Sequence, residues 1–101
     1  MTYQLLFFDE VQIDVIEAKG WYKKQKEGLE IGFSKEIEIS ILQLLKTPKS
    51  YSIRYKNVRI SHPKRFPFNI HFYIDENIKT VVIIAIVHNK KSPSTTSKRI
   101  S

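Results

Sequence analysis

Residues 66–91 read FPFNIHFYIDENIKTVVIIAIVHNKK, and that stretch leaves the chain few ways to fold. Its first part alternates: Phe68, Ile70, Phe72 and Ile74 fall on one side of an extended chain, Asn69, His71 and Tyr73 on the other. Asp75-Glu76-Asn77 then interrupts with turn-forming residues. From Val81 to Val87 every position is apolar and most are β-branched, the composition of a strand covered on both faces. The stretch predicts a hairpin whose second arm is a central strand. The basic group His88-Asn89-Lys90-Lys91 marks where that strand leaves the sheet, a common place for function.

The chain that must support this hairpin has 101 residues, enough for one domain with a modest core. An aromatic content of 12% and an apolar content of 42% are those of a folded protein and exclude a disordered one. With no cysteine there is neither a disulfide framework nor a thiolate zinc site. No window approaches the ~20 apolar residues of a membrane span. The opening MTYQLLFFDE lacks the basic region of a signal peptide, so a cytoplasmic location is expected.

Read in order, Tyr3–Phe8 predicts a short strand. Asp9, with Gln12 three residues on, fits the capping box of a first helix running to about Lys26. Val11, Val15, Ala18 and Tyr22 form its apolar stripe. Gly20 inside this helix is either a close-packing point or a weak spot. Gly28 ends it as a left-handed cap would. A second helix, about Leu29 to Lys46, carries the stripe Phe33, Ile37, Ile41 and Leu44 and is stopped by Pro48. A strand over Tyr55–Ser61 and the loop His62-Pro63-Lys64-Arg65 lead into the hairpin. The expected architecture is α+β, in the order β-α-α-β-β-β: a helical hairpin on one face of a small, mainly antiparallel twisted sheet. Residues 1–91 form the domain, and the polar, basic segment 92–101 is expected to be mobile when the protein is alone.

Charge is divided along the chain. Residues 1–45 hold five lysines against eight acids, whereas residues 46–101 hold twelve Lys/Arg against two acids. No acid lies between Lys46 and Ile74. Such a basic half suits an acidic or polyanionic partner, although lysine-rich loops also serve solubility alone. Three scattered glycines make no phosphate loop and three distant histidines give no metal spacing, so no cofactor is expected.

The order and spacing of Asp14, Ala18, Trp21-Tyr22 and Gln25, Gly28-Leu29 and Phe33, Val58-Arg59, Phe66-Pro67-Phe68, Ile70, Phe72 and His88-x-x-Lys91-x-Pro93 resemble the RelE/ParE superfamily of toxins from type II toxin–antitoxin systems, closest to its ParE-like branch. The resemblance covers nearly the whole chain. It implies a curved antiparallel sheet backed by a helical hairpin, a role in growth inhibition and plasmid stabilisation, and a cognate antitoxin whose disordered segment wraps the toxin. It implies no single chemistry, since relatives either poison DNA gyrase or cleave mRNA on the ribosome. A homodimer and a toxin–antitoxin hetero-oligomer are both compatible with it.

If the chain is an enzyme, the resemblance makes it a metal-independent endoribonuclease, and that chemistry has definite needs. Attack by a 2′-hydroxyl requires a proton acceptor, cations for the phosphorane and a donor to the leaving oxygen. The first arginine of RelE-like nucleases aligns with Asn69, and the arginine after the last strand falls near Lys90 or Lys91, which lack a bidentate fork. No tyrosine follows Tyr73. Lys56 and Arg59 could replace the family's lysines. His71 and His88 are the candidate acid–base groups, if the face bearing His71 is concave and brings them together. The plainer reading makes His71 a sheet-surface residue and His88 a structural hydrogen-bonder. Lys56, Arg59, Lys64, Arg65, Lys90 and Lys91 form the candidate basic surface for target or antitoxin. The preferred expectation is therefore a gyrase-directed toxin. A degenerate ribosome-dependent nuclease and a non-catalytic interaction module are the alternatives.

Overall fold

The computed structural model describes residues 2–90 and 96–100. Its elements follow the chain as β1 (Gln4–Phe7), α1 (Asp9–Gln25), α2 (Leu29–Lys46), β2 (Ile53–Tyr55), β3 (Val58–Ser61), β4 (Phe68–Asp75) and β5 (Thr80–His88). The fold is α+β. The strands form one five-stranded sheet in the order β1-β5-β4-β3-β2.

The apolar run Thr80–Val87 is buried at every position. β4 lies antiparallel along one edge of it, and β1 lies parallel along the other, with Leu5 opposite Val81 and Phe7 opposite Ile83. Asp75 accepts the Asn77 backbone N–H at 3.1 Å and so closes the turn between β4 and β5. The register runs from His71 opposite Ala85 to Phe72 opposite Ile83. Ile84 is therefore the extra residue of a bulge, and both it and Ala85 join the packing on the face away from the helices.

The helical hairpin covers the other face. Phe33, Ile37, Ile41 and Leu44 on α2 and Val11, Ala18 and Tyr22 on α1 share one core with Phe68, Ile70, Phe72, Val81, Ile83 and Ile86. Rings dominate its outer end, where Phe33 meets Tyr22, Phe66 and Phe68 at centroid separations of 5.1, 5.5 and 4.9 Å. Gly28 takes φ +92 between the helices, the left-handed geometry that glycine adopts freely. No neighbouring atom lies within 4 Å of where a Cβ on Gly20 would stand, so this glycine weakens its helix without serving a close contact.

Two local expectations need correction. Asp9 is the first helical residue, preceded by Phe8 as the N-cap, and no side-chain capping bond forms. Residues 55–61 are not one strand: Lys56, at φ 47, and Asn57 turn the chain between β2 and β3. Chain pairing then replaces what pattern suggested, since β2 is too short to show alternation. Residues 96–100, in the segment expected to be mobile, lie along the open face. Thr96 is buried, Ile100 packs with Val58, Val82 and Ile84, and Lys98–Ile100 forms a short 3-10 turn against the open face. The rest of that segment lies outside the described residues.

Candidate functional site

The open face of the sheet brings together a polar group that no sequence spacing announces. Tyr55, at the end of β2, places its hydroxyl 2.9 Å from His71 Nδ1 on β4 and 2.8 Å from Thr96 Oγ1. Thr96 Oγ1 is itself 3.4 Å from the same ring nitrogen. His71 is only 4% exposed. Burial, then the positive charges of His62 and Arg99, hold its pKa down at about 4, against a weaker opposite pull from Asp14. The imidazole is neutral near pH 7, and its Nδ1 faces the hydroxyls of Tyr55 and Thr96. Burial likewise pushes the Tyr55 phenol upward. Beside them Lys56 Nζ donates to the Ser97 carbonyl at 3.1 Å.

A second polar group closes the outer edge of β5. β1 stops pairing after Phe7, and the Phe8 backbone N–H donates to Ile83 O. Beyond it the edge is met by side chains. Asp14, from α1, accepts the Ile86 backbone N–H at 3.1 Å, and Arg99 Nη1 donates to Ile84 O at 2.8 Å. The two side chains form a bidentate pair at 2.7 and 3.0 Å, with 16% and 8% exposure for Arg99 and Asp14. Together they do for the edge of β5 what another strand would do.

The remaining candidates are dispersed. His88 follows Ile86 on the helix-covered face, opposite Phe68, whereas His71 lies on the open face, so the sheet separates the two histidines. His88 Nδ1 accepts the Lys90 backbone N–H at 3.1 Å. The Arg59 guanidinium is taken up by two carbonyls, Tyr51 O at 2.6 Å and Lys49 O at 3.2 Å, and fastens the loop before β2. Lys64, Arg65 and Lys90 are exposed, with Arg65 lying 5.9 Å from the Phe66 ring centre. Lys91 lies outside the described residues. Among the described residues no three His, Asp or Glu side chains converge as metal ligands, and no helix is long and apolar enough to cross a membrane. Trp21 is 55% exposed and lines a cavity of about 240 Å³ with Asp14, Glu17, Phe68 and His88.

Neither Tyr55, Thr96 nor Arg99 stands out in the sequence. Tyr55 and His71 are 16 positions apart, Tyr55 and Thr96 41, Arg99 and Asp14 85, and only the folded sheet relates them.

No family model matches the chain, and no curated protein matches it. Solved structures do. A chain from the chromosomal ParDE toxin–antitoxin system of P. aeruginosa superposes with a TM-score of 0.74 at 16% identity, covering 86% of this chain and 96% of its own. The free state of an arginine-to-alanine double mutant of the E. coli toxin RelE gives 0.64 at 15% identity over the whole of both chains. A chain of the RelBE2 toxin–antitoxin complex from Mycobacterium tuberculosis gives 0.57 at 16% identity, covering 87% of this chain and 99% of that one. At these identities the likeness is one of fold, and the fold is that of the ParE and RelE toxins.

Proposed function

We propose that the chain is the toxin of a type II toxin–antitoxin module, held inactive by a small antitoxin and inhibiting growth through DNA gyrase when free. The observation that carries this reading is the agreement of the whole fold with ParE- and RelE-type toxins, including one matched over 100% of both chains. An antitoxin partner accounts for a second feature. Phe7 on β1 and Ile16 on α1, 48% and 62% exposed, line one crevice, and exposed apolar side chains beside a crevice suit a protein partner. The gyrase target is favoured over RNA by what the open face offers. Its histidine is neutral, buried and already bonded, and Asn69 brings no charge to the phosphorane.

The nuclease remains the second reading because Tyr55 supplies, from β2, a phenol beside His71 and next to Lys56. Expression of the chain alone, then with its candidate antitoxin, should arrest growth and restore it. Purified protein should stimulate gyrase-dependent DNA cleavage. Codon-specific mRNA cuts in ribosomes that vanish in the His71→Ala variant would replace the gyrase reading with the nuclease, and unimpaired growth would leave only a non-toxic interaction module.

A further inference from the structure

A cavity of about 450 Å³ opens between α2 and the loop joining β3 to β4. Two hydroxyls stand in its wall. Ser40 on α2 is 4% exposed and Ser61, the last residue of β3, is 5% exposed. Neither hydroxyl makes a side-chain hydrogen bond within the described residues. Neither hydroxyl is sealed from solvent, so both are free to donate into the cavity. The rim is basic. His62, Lys64 and Arg65 follow Ser61 directly around the cavity, and no carboxylate pairs with Lys64 or Arg65 among the described residues. Glu36 contributes a single negative charge from the α2 wall. Arg59, by holding the carbonyls of Lys49 and Tyr51, fixes the wall that Tyr51 provides.

Hydroxyl donors at the base and cations at the rim are complementary to a phosphate oxygen cluster. The volume exceeds what the anion alone needs and lies within the roughly 300–1,000 Å³ of small-molecule sites. We infer that this cavity binds the phosphate of a nucleotide, as a free ester or as part of a nucleic-acid backbone, with Ser40 and Ser61 donating to its oxygens and Lys64 and Arg65 neutralising it. Gln43 and Tyr51 are left to meet the organic half. The inference does not depend on the toxin reading, since it concerns a different surface and is measured by binding.

The test is titration of the whole protein, at one fixed salt concentration, with inorganic phosphate, adenosine monophosphate and a short single-stranded oligonucleotide. Amide chemical shifts and calorimetry would be followed. Saturable shifts centred on Ser40 and on residues 61–65, with the monophosphate binding more tightly than phosphate, are expected. A tighter oligonucleotide identifies the backbone as the source, and an equal or weaker one identifies the free nucleotide. Ser40→Ala with Ser61→Ala should weaken binding about tenfold or more, the equivalent of one to two lost charge-assisted bonds. The melting temperature of that double variant should change little, because the hydroxyls it removes bond no other described side chain in the free protein. Shifts spread over lysines elsewhere, a monophosphate no tighter than phosphate, or unchanged affinity in the double variant would each overturn the assignment.

Discussion

His71 shows how one residue couples the fold to solution conditions. Its pKa falls from 6.5 in the unfolded chain to about 4 in the fold. Above the unfolded value both states are neutral and the residue adds no pH dependence. As pH falls from 6.5 toward 4, the unfolded chain takes up a proton that the fold refuses, so stability is progressively lost. The loss should amount to about 2–3 kcal/mol between pH 7 and pH 4. Urea midpoints measured across that range should show it in the native protein and not in a His71→Gln variant. Arg99 gives a second expectation at this scale. Removing it leaves Asp14, 8% exposed, unpaired beside the edge of β5. Arg99→Ala should therefore cost about 3 kcal/mol in chemical denaturation, the range for breaking a buried pair by one partner. A loss below half that would mean that residues 96–100 contribute little to the fold.

At the scale of elements, periodicity carried most of what could be read beforehand. α2 spans Leu29–Lys46 as its stripe requires, and β4 and β5 agree with the alternating and continuous runs to within a residue or two. Ile41, on that stripe, packs in the core with Ile70 and Phe72, so Ile41→Ala should lower stability by about 2–5 kcal/mol, read from denaturant midpoints. What escaped was whatever depends on pairing rather than pattern. Three residues are too few for β2 to display a period, and the parallel seating of β1 is set by partners some seventy-six positions away. The candidate site divides the same way. Exposed cations such as Lys64 and Lys90 could be listed from the sequence. The use of Arg59 for two backbone carbonyls, and the separation of His71 from His88 by the sheet, follow from which face each side chain takes.

For the molecule as a whole, the division of charge sets the expected behaviour. Residues 46–101 carry twelve Lys/Arg and two acids. Where these cations are exposed and unpaired they stabilise the fold little, and their value lies in long-range attraction and contact with an anionic or acidic partner. On the proposed toxin reading, Lys90→Glu should weaken growth inhibition while leaving stability within about 0.5 kcal/mol, as substitutions of exposed residues usually do. Paired growth curves and thermal melts would check it. Retained toxicity would remove this end of the sheet from the target-binding surface.

The seating of β1 also bears on how the protein is made. Gln4 to Phe7 complete the sheet only by lying against Thr80 to Ile83. On a translating ribosome, at roughly 5–20 residues per second, the first strand thus waits several seconds for its partner to be synthesised. Until then the helical hairpin has no sheet to cover, and the nascent chain exposes an apolar face without its basic end. Any surface that needs the finished sheet is therefore completed late in synthesis, after the helical hairpin has already emerged.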